Sequence, residues 1–175
     1  MIVQKIFGAA ILSLMAILLI ATTLCAQSDI DEHRRCAQCG MDRKDYGFSR
    51  VLLRYDDGTA VGTCSLHCAA IQLDAKPALK IKSIEVADYN TRTLIDAEKA
   101  YWVIGGNKEG VMTRTATWAF ADKKDAEKYI KGHGGRLGSF KESLNAVTRE
   151  LPKKSGAGKM DKKGQMGNDM MHKDH

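Results

Sequence analysis

The alternation of apolar and polar positions divides the chain into an apolar leader, a patterned middle and a polar tail. Lys5 precedes a mostly apolar run from Ile6 to about Ala21, followed by small residues, the layout of an export signal. The run falls short of the roughly 20 apolar residues that span a membrane, so residues 1–26 read as a signal peptide and the mature chain as periplasmic. In the middle, 49–55 and 59–64 are short β-rich runs around Asp56-Asp57-Gly58, strong hairpin chemistry because these residues tolerate the positive φ of tight turns. Ser65 then caps a helix with Leu66, Ala69, Ala70 and Leu73 on one stripe.

The second half has its own pattern. Residues 81–87 alternate imperfectly, 101–104 form a dense apolar run, Gly105-Gly106-Asn107 breaks the chain, and 115–120 is a further strand candidate. Asp122 caps a helix to about Lys131 with Ala126, Tyr129 and Ile130 facing inward, and glycines from Gly132 to Gly135 stop it. Ser139 and Glu142 form a capping box for a helix to about Leu151. The order strand, strand, helix, strands, helix, strand, helix predicts an α+β domain over 27–151, with two related units at about 36–80 and 81–151.

Composition narrows the function classes. The chain carries a net charge of +6, but Lys and Arg are interspersed with acids up to residue 151, the pattern of a solvated surface. Aromatics make up 6% and are not interleaved with basic residues, which argues against nucleic acid as a partner. Beyond Pro152 the sequence turns to Lys, Gly, Asp, Met and His, a composition that predicts disorder over 152–175. Met160, Met166, Met170, Met171, His172 and His175 give this tail thioethers and imidazoles suited to Cu(I); a basic solubilising tail is the alternative. No Ser, His and acid arrangement, phosphate loop or paired carboxylates point to an enzyme.

The candidate chemistry lies in four of the five cysteines, Cys36-x2-Cys39 and Cys64-x3-Cys68, with Met41 after the first pair and His67 inside the second. A knuckle, a hairpin and a helix N-terminus would bring these sulfurs to one point. Two short Cys pairs around a hairpin have the spacing of a thiolate metal site, for Cu(I) or alternatively Zn(II). Structural disulfides and a redox-active C-x2-C are the competing readings. Covalent haem is excluded because Gly40, not His, follows Cys39. Met41, Met112 and His67 are each a candidate ligand or an ordinary packing or surface residue. Trp102 and Trp118 read as core, His33 and His133 as surface. Two processing routes are open, cleavage after Ala26, which removes the fifth cysteine, or lipidation at Cys25; only the second would bring a membrane.

Cys36-Ala-Gln-Cys39-Gly40-Met41, Asp57-Gly58, Ala100-Tyr-Trp-Val-Ile-Gly105, Val111-Met112 and Trp118-Ala119-Phe120, in that order over about 36–140, resemble the NosL family of exported copper-binding proteins. The resemblance implies a fold similar to organomercurial lyase, with two small ββαβ-type units, and Cu(I) bound by ligands among Cys39, Met41 and Met112. It also implies a copper-accepting apo-enzyme, such as nitrous oxide reductase, or a copper transport protein as partner. Two features depart from the family. The residues Thr22-Thr23-Leu24 before Cys25 make a weak lipidation signal, whereas the family is commonly lipidated. The Cys64-Ser-Leu-His-Cys68 cluster is richer in soft ligands than the family's minimal site and resembles the C-x3-C half of TRASH-type metal-trafficking modules. The alternative function is a zinc- or disulfide-stapled interaction domain, or a general heavy-metal trafficking module.

Overall fold

Two ββαβ units of the same topology account for most of the described residues. The computed structural model describes residues 28–152; the leader at 1–26 and the tail residues Met160, Met166, Met170, Met171, His172 and His175 lie outside the described residues. After a short helix α1 (Ser28–Glu32), the first unit comprises β1 (Val51–Tyr55), β2 (Ala60–Thr63), α2 (Leu66–Ala75) and β3 (Ile81–Ala87), extended by β4 (Leu94–Asp96). The second comprises β5 (Tyr101–Ile104), β6 (Thr117–Phe120), α3 (Lys123–His133) and β7 (Arg136–Gly138), and α4 (Phe140–Thr148) closes the chain. In both units a hairpin leads into a helix, and the strand after it returns antiparallel to the first strand, giving sheet orders β2-β1-β3-β4 and β6-β5-β7. The architecture is α+β, as the element order predicts. The division at 80/81 is corrected: β3 pairs with β1, so the first sheet runs to Asp96.

Local chemistry sets the registers. At the β1–β2 turn the Gly58 amide donates to the Tyr55 carbonyl at 3.1 Å and Gly58 takes φ 86°, a conformation that glycine adopts without a Cβ clash. The Asp57 carboxylate accepts the Thr59 amide at 2.9 Å and its hydroxyl at 2.7 Å. The imperfect alternation of β3 has a structural reason. Arg54 pairs with Ser83 and Tyr55 with Ile81, so Lys82 is an extra residue. This bulge reverses the parity of the strand and lets Ile81, Ile84 and Val86 all pack on the main core.

The main core lies between the first sheet, α2, α4 and one face of the second sheet, where Leu53, Tyr55, Ala69, Trp102, Ala119 and Val147 are buried together. Trp102 donates its indole N–H to the Ala97 carbonyl at 2.9 Å and packs on Phe140. The other face of the second sheet carries Val103, Trp118 and Phe120 against Ala126 and Tyr129 of α3. The short strands of this sheet are therefore apolar on both sides, which is why 101–104 reads as a dense apolar run. The sheets meet where the Tyr89 amide bonds the Ala119 carbonyl at 2.8 Å and the buried Asp88 carboxylate accepts the Ala121 amide at 2.9 Å.

Not all the scattered charge is on the surface. Asp29, Arg43 and Arg50 are buried, contrary to the expectation of a solvated charged exterior. The Asp29 carboxylate bridges the two guanidiniums, at 2.8 Å to Arg43 and 2.9 Å to Arg50. The remaining guanidinium donors reach carbonyls: Arg43 bonds those of Asp29, His33, Thr63 and Val51, and Arg50 those of Gly47 and Arg92. Gly62 leaves the room, because a Cβ there would lie 2.6 Å from the Arg43 guanidinium carbon. These bonds fasten the chain between α1 and β1, which has little regular structure, onto the first sheet. A second polar clamp joins α4 to the β5–β6 loop. The Glu150 carboxylate accepts the Arg114 and Thr115 amides and the Thr113 hydroxyl at 2.7–2.9 Å.

Removing the bridging carboxylate leaves two buried guanidiniums facing each other. Asp29→Ala is expected to destabilise the fold by about 3–5 kcal/mol, measured as a lower urea midpoint. Burial pushes the Asp29 carboxyl up, but hydrogen bonds and charge from Arg50 and Arg43 outweigh it and hold the group below its ordinary value. Its contribution is therefore complete above an unfolded-state pKa of about 3.9 and lost as pH falls through the lower folded value. The acid limb of the stability curve should flatten in Asp29→Asn. Glu150→Ala should speed hydrogen exchange at the Arg114 and Thr115 amides while the β5 and β6 amides stay protected.

Candidate metal centre

The first cysteine pair lies on a knuckle formed by its own backbone. The Gly40 amide donates to the Cys36 carbonyl at 2.9 Å, the Cys36 amide to the Met41 carbonyl at 2.8 Å, and Gly40 takes φ 78°. The Ala37 amide hooks the knuckle to the Gly62 carbonyl of β2 at 2.9 Å, and the Gln72 side-chain amide of α2 reaches Gln38 at 2.8 Å. Regular elements place the second pair. Cys64 directly follows β2, with its carbonyl accepting the Ser49 hydroxyl at 2.8 Å. Cys68 is in the first turn of α2, where the N-cap Ser65 hydroxyl accepts the Cys68 amide at 3.4 Å.

The elements converge as the spacing predicts. All four sulfurs lie within 4.8 Å of one another, with Cys39 Sγ 3.5 Å and Cys68 Sγ 3.7 Å from Cys64 Sγ. All four are free thiols. A tetrahedral metal with bonds of about 2.3 Å to sulfur has sulfur–sulfur edges of about 3.8 Å, so the cluster is close to the size of a filled site. Cys36, Cys64 and Cys68 are buried and Cys39 is partly exposed.

Protons are unequally shared. Donation from the Cys64 and Cys68 thiols, with the Cys39 and Cys64 amides, holds the Cys36 thiol far below its ordinary value. Hydrogen bonding to Cys36 in turn pushes Cys64 up to about 12, and hydrogen bonding to Cys36 and Cys64 pushes Cys68 strongly upward; burial adds to both. Negative charge on the cluster is thus favoured at Cys36, to which the two neighbouring thiols donate. The positive end of α2 and the guanidinium of Arg43, which is coupled to Cys36 by charge, favour that anion. A thiophilic cation would replace the shared protons.

Other predicted residues fall at different distances from this centre. Met41 is half-buried and packs on the cysteines, together with Tyr46 and Val111. Met112 is 48% exposed with φ 63°, and its partly buried neighbour Val111 is the contact of the β5–β6 loop with the cluster. His67 is beside Cys68 but is not among the four grouped ligand atoms. Its Nδ1 is buried without a hydrogen-bond partner among the described residues, and burial disfavours its charged form against the opposing pull of Glu150. Both tryptophans are core, on opposite faces of the second sheet. The sequence reading missed Tyr46 and Arg43. Tyr46 carries no ligand chemistry, and Arg43 resembles any surface arginine until Asp29 is placed beside it.

Comparison with known proteins agrees with this fold. The NosL family profile matches residues 27–148. Among solved structures, the copper chaperone NosL from Shewanella denitrificans has a TM-score of 0.50 and 25% sequence identity, covering 62% of this chain and 87% of its own. The apo-NosL protein from Achromobacter cycloclastes, solved by NMR, has a TM-score of 0.38 and 19% identity, covering 53% of this chain and 82% of its own. A search of curated proteins returned no match. The matched span takes in both ββαβ units and all four clustered cysteines, and the chain belongs to the NosL family.

Proposed function

We propose that this protein is a periplasmic copper(I)-binding metallochaperone that takes up Cu(I) on its cysteine cluster and passes it to a copper-accepting apo-enzyme or copper transport protein. The observation that carries the proposal is the set of four free sulfurs within 4.8 Å, three of them buried. Thiolates and thioethers select Cu(I) over harder ions, and Met41 adds a thioether beside them. The family membership and the similarity to a copper chaperone support copper as cargo. Nitrous oxide reductase is the acceptor the family suggests. Export rests on the leader at 1–26, and membrane attachment would follow only from lipidation at Cys25. The work proposed is binding and transfer, without catalysis.

The sulfur spacing favours a second reading. Edges near those of a tetrahedral four-thiolate site also suit Zn(II), which would make the cluster a structural staple for an interaction domain. Competition experiments separate the two. Reduced protein lacking the leader should take Cu(I) from bicinchoninate at about one ion per chain, and should prefer it to Zn(II). Replacing all four cysteines with Ser should abolish uptake. Because Cys64 and Cys68 must give up protons held above their ordinary values, uptake should release protons and weaken as pH falls. Preference for Zn(II), or two native disulfides with no Cu(I) uptake after mild reduction, would sink the copper reading.

The Met and His residues of the tail are proposed as a tethered collector that raises the local Cu(I) concentration. Ending the chain at Leu151 should leave the Cu(I) affinity unchanged and slow loading from a dilute donor. Replacing Met160, Met166, Met170 and Met171 by Leu with every Lys kept should have the same effect. Equal loading by all three proteins would reduce the tail to a solubilising extension.

A further inference from the structure

The cysteine cluster has an apolar wall built from three separate stretches of the chain. Against the buried Cys36, Cys64 and Cys68 pack Met41 from the knuckle, Tyr46 from the turn after it and Val111 from the β5–β6 loop. Tyr46 is the largest of the three and is held from two sides. Its carbonyl accepts the Ser49 amide at 3.0 Å, and the Ser49 hydroxyl is shared between that carbonyl at 3.3 Å and the Cys64 carbonyl at 2.8 Å. Its ring lies 6.4 Å from that of Phe48, which meets Tyr89 and Trp118 at 5.8 Å each, within the range of attractive aromatic contacts. Tyr46 is thus tied to the backbone of one cysteine and, through Phe48, to the aromatic core of the second unit.

Loss of an electron turns bound Cu(I) into Cu(II), whose added charge demands solvation and whose tetragonal geometry calls for nitrogen or oxygen ligands. Water is the ready source of both, and the apolar shell around a metal site controls its access and with it the redox potential. We infer that Tyr46 fixes the oxidation state of the bound ion: its side chain keeps water off the sulfur-held Cu(I) and so disfavours loss of an electron to an outside oxidant. This rests on the copper reading above and adds the residue that makes the site specific for the monovalent ion. Tyr46 forms no bond to the metal and gains or loses no proton. In the reaction it suppresses, one electron passes from Cu(I) to the oxidant, and the Cu(II) left behind takes on water. Zn(II) is not redox-active, so this cover does nothing for its retention.

Anaerobic oxidation of the Cu(I)-loaded protein by ferricyanide tests this, with EDTA present to trap Cu(II) and the remaining Cu(I) read with bathocuproine disulfonate. Tyr46→Ala should lose Cu(I) at least roughly tenfold faster than the parent, the lower end of what residues around a metal site usually contribute. Tyr46→Gln, which keeps most of the volume but admits water, should also be faster, and Tyr46→Phe, which keeps the ring, should match the parent. Zn(II) affinity should stay the same in all three variants, a readout that a merely structural role would move. Oxidation of Tyr46→Ala and Tyr46→Gln at the parent rate would overturn the inference and leave copper binding standing. Fast oxidation of Tyr46→Phe, or Cu(I) and Zn(II) affinities that fall together, would overturn it as well. Failure of the parent protein to take up Cu(I) from bicinchoninate would overturn both readings.

Discussion

The cysteine knuckle is held in place by a buried ion cluster in which the Asp29 carboxylate joins the guanidiniums of Arg43 and Arg50. The chain from His33 to Arg50 contains no helix and no ladder strand, so its backbone groups need other partners. Arg43 and Arg50 bond two of its carbonyls, those of His33 and Gly47, and tie the stretch to carbonyls of α1, β1, β2 and the Arg92 turn. A buried ion pair is weak support for stability in general, since hydrophobic packing of similar volume often does as well. Its value here is positional. Apolar side chains could fill the volume, but they could not fix six carbonyls in direction, and the direction of the knuckle decides where two sulfurs lie.

The same cluster affects the chemistry. Asp29, Arg43 and Arg50 together carry one more positive than negative charge, and Arg43 is electrostatically coupled to Cys36. A buried thiolate without compensation is expensive. Donation from the Cys64 and Cys68 thiols is the main compensation at Cys36, and the excess guanidinium charge and the N-terminus of α2 add to it. The scaffold that positions the cysteines thus also favours negative charge beside it.

Much of this was legible in the sequence and some was not, for physical reasons. The hairpin, the three capped helices and the convergence of the four cysteines follow from local signals: Asp57-Gly58, Ser65, Asp122, and Ser139 with Glu142. The face of β3 could not be read by alternation, because the bulge at Lys82 is set by pairing with β1. The membership of β3 in the first sheet is likewise a long-range choice. In sequence Asp29, Arg43 and Arg50 look like surface charge, because burial of a charge depends on a distant partner, and Arg50 lies 21 residues from Asp29. The motif Val111-Met112 was visible, but which of the two faces the cluster depends on the loop conformation, with φ 63° at Met112.

The duplicated topology bears on why the cysteines are present. The junction from β2 to α2 passes through Cys64, the capping Ser65 and Cys68; the matching junction from β6 to α3 passes through Ala121, the capping Asp122 and Asp125. In the second unit the helix docks on its hairpin through apolar packing of Ala126 and Tyr129 on Trp118 and Phe120, with no sulfur among its buried contacts. The first unit has equivalent packing available, since Leu66, Ala69 and Ala70 of α2 are buried against β1. A ββαβ unit of this kind therefore closes without thiols or a metal. Two thiols at one junction, met by two more from the knuckle, and none at the other are not explained by the folding needs of the topology. They are explained by ligand chemistry added to one unit of a pair that shares its architecture.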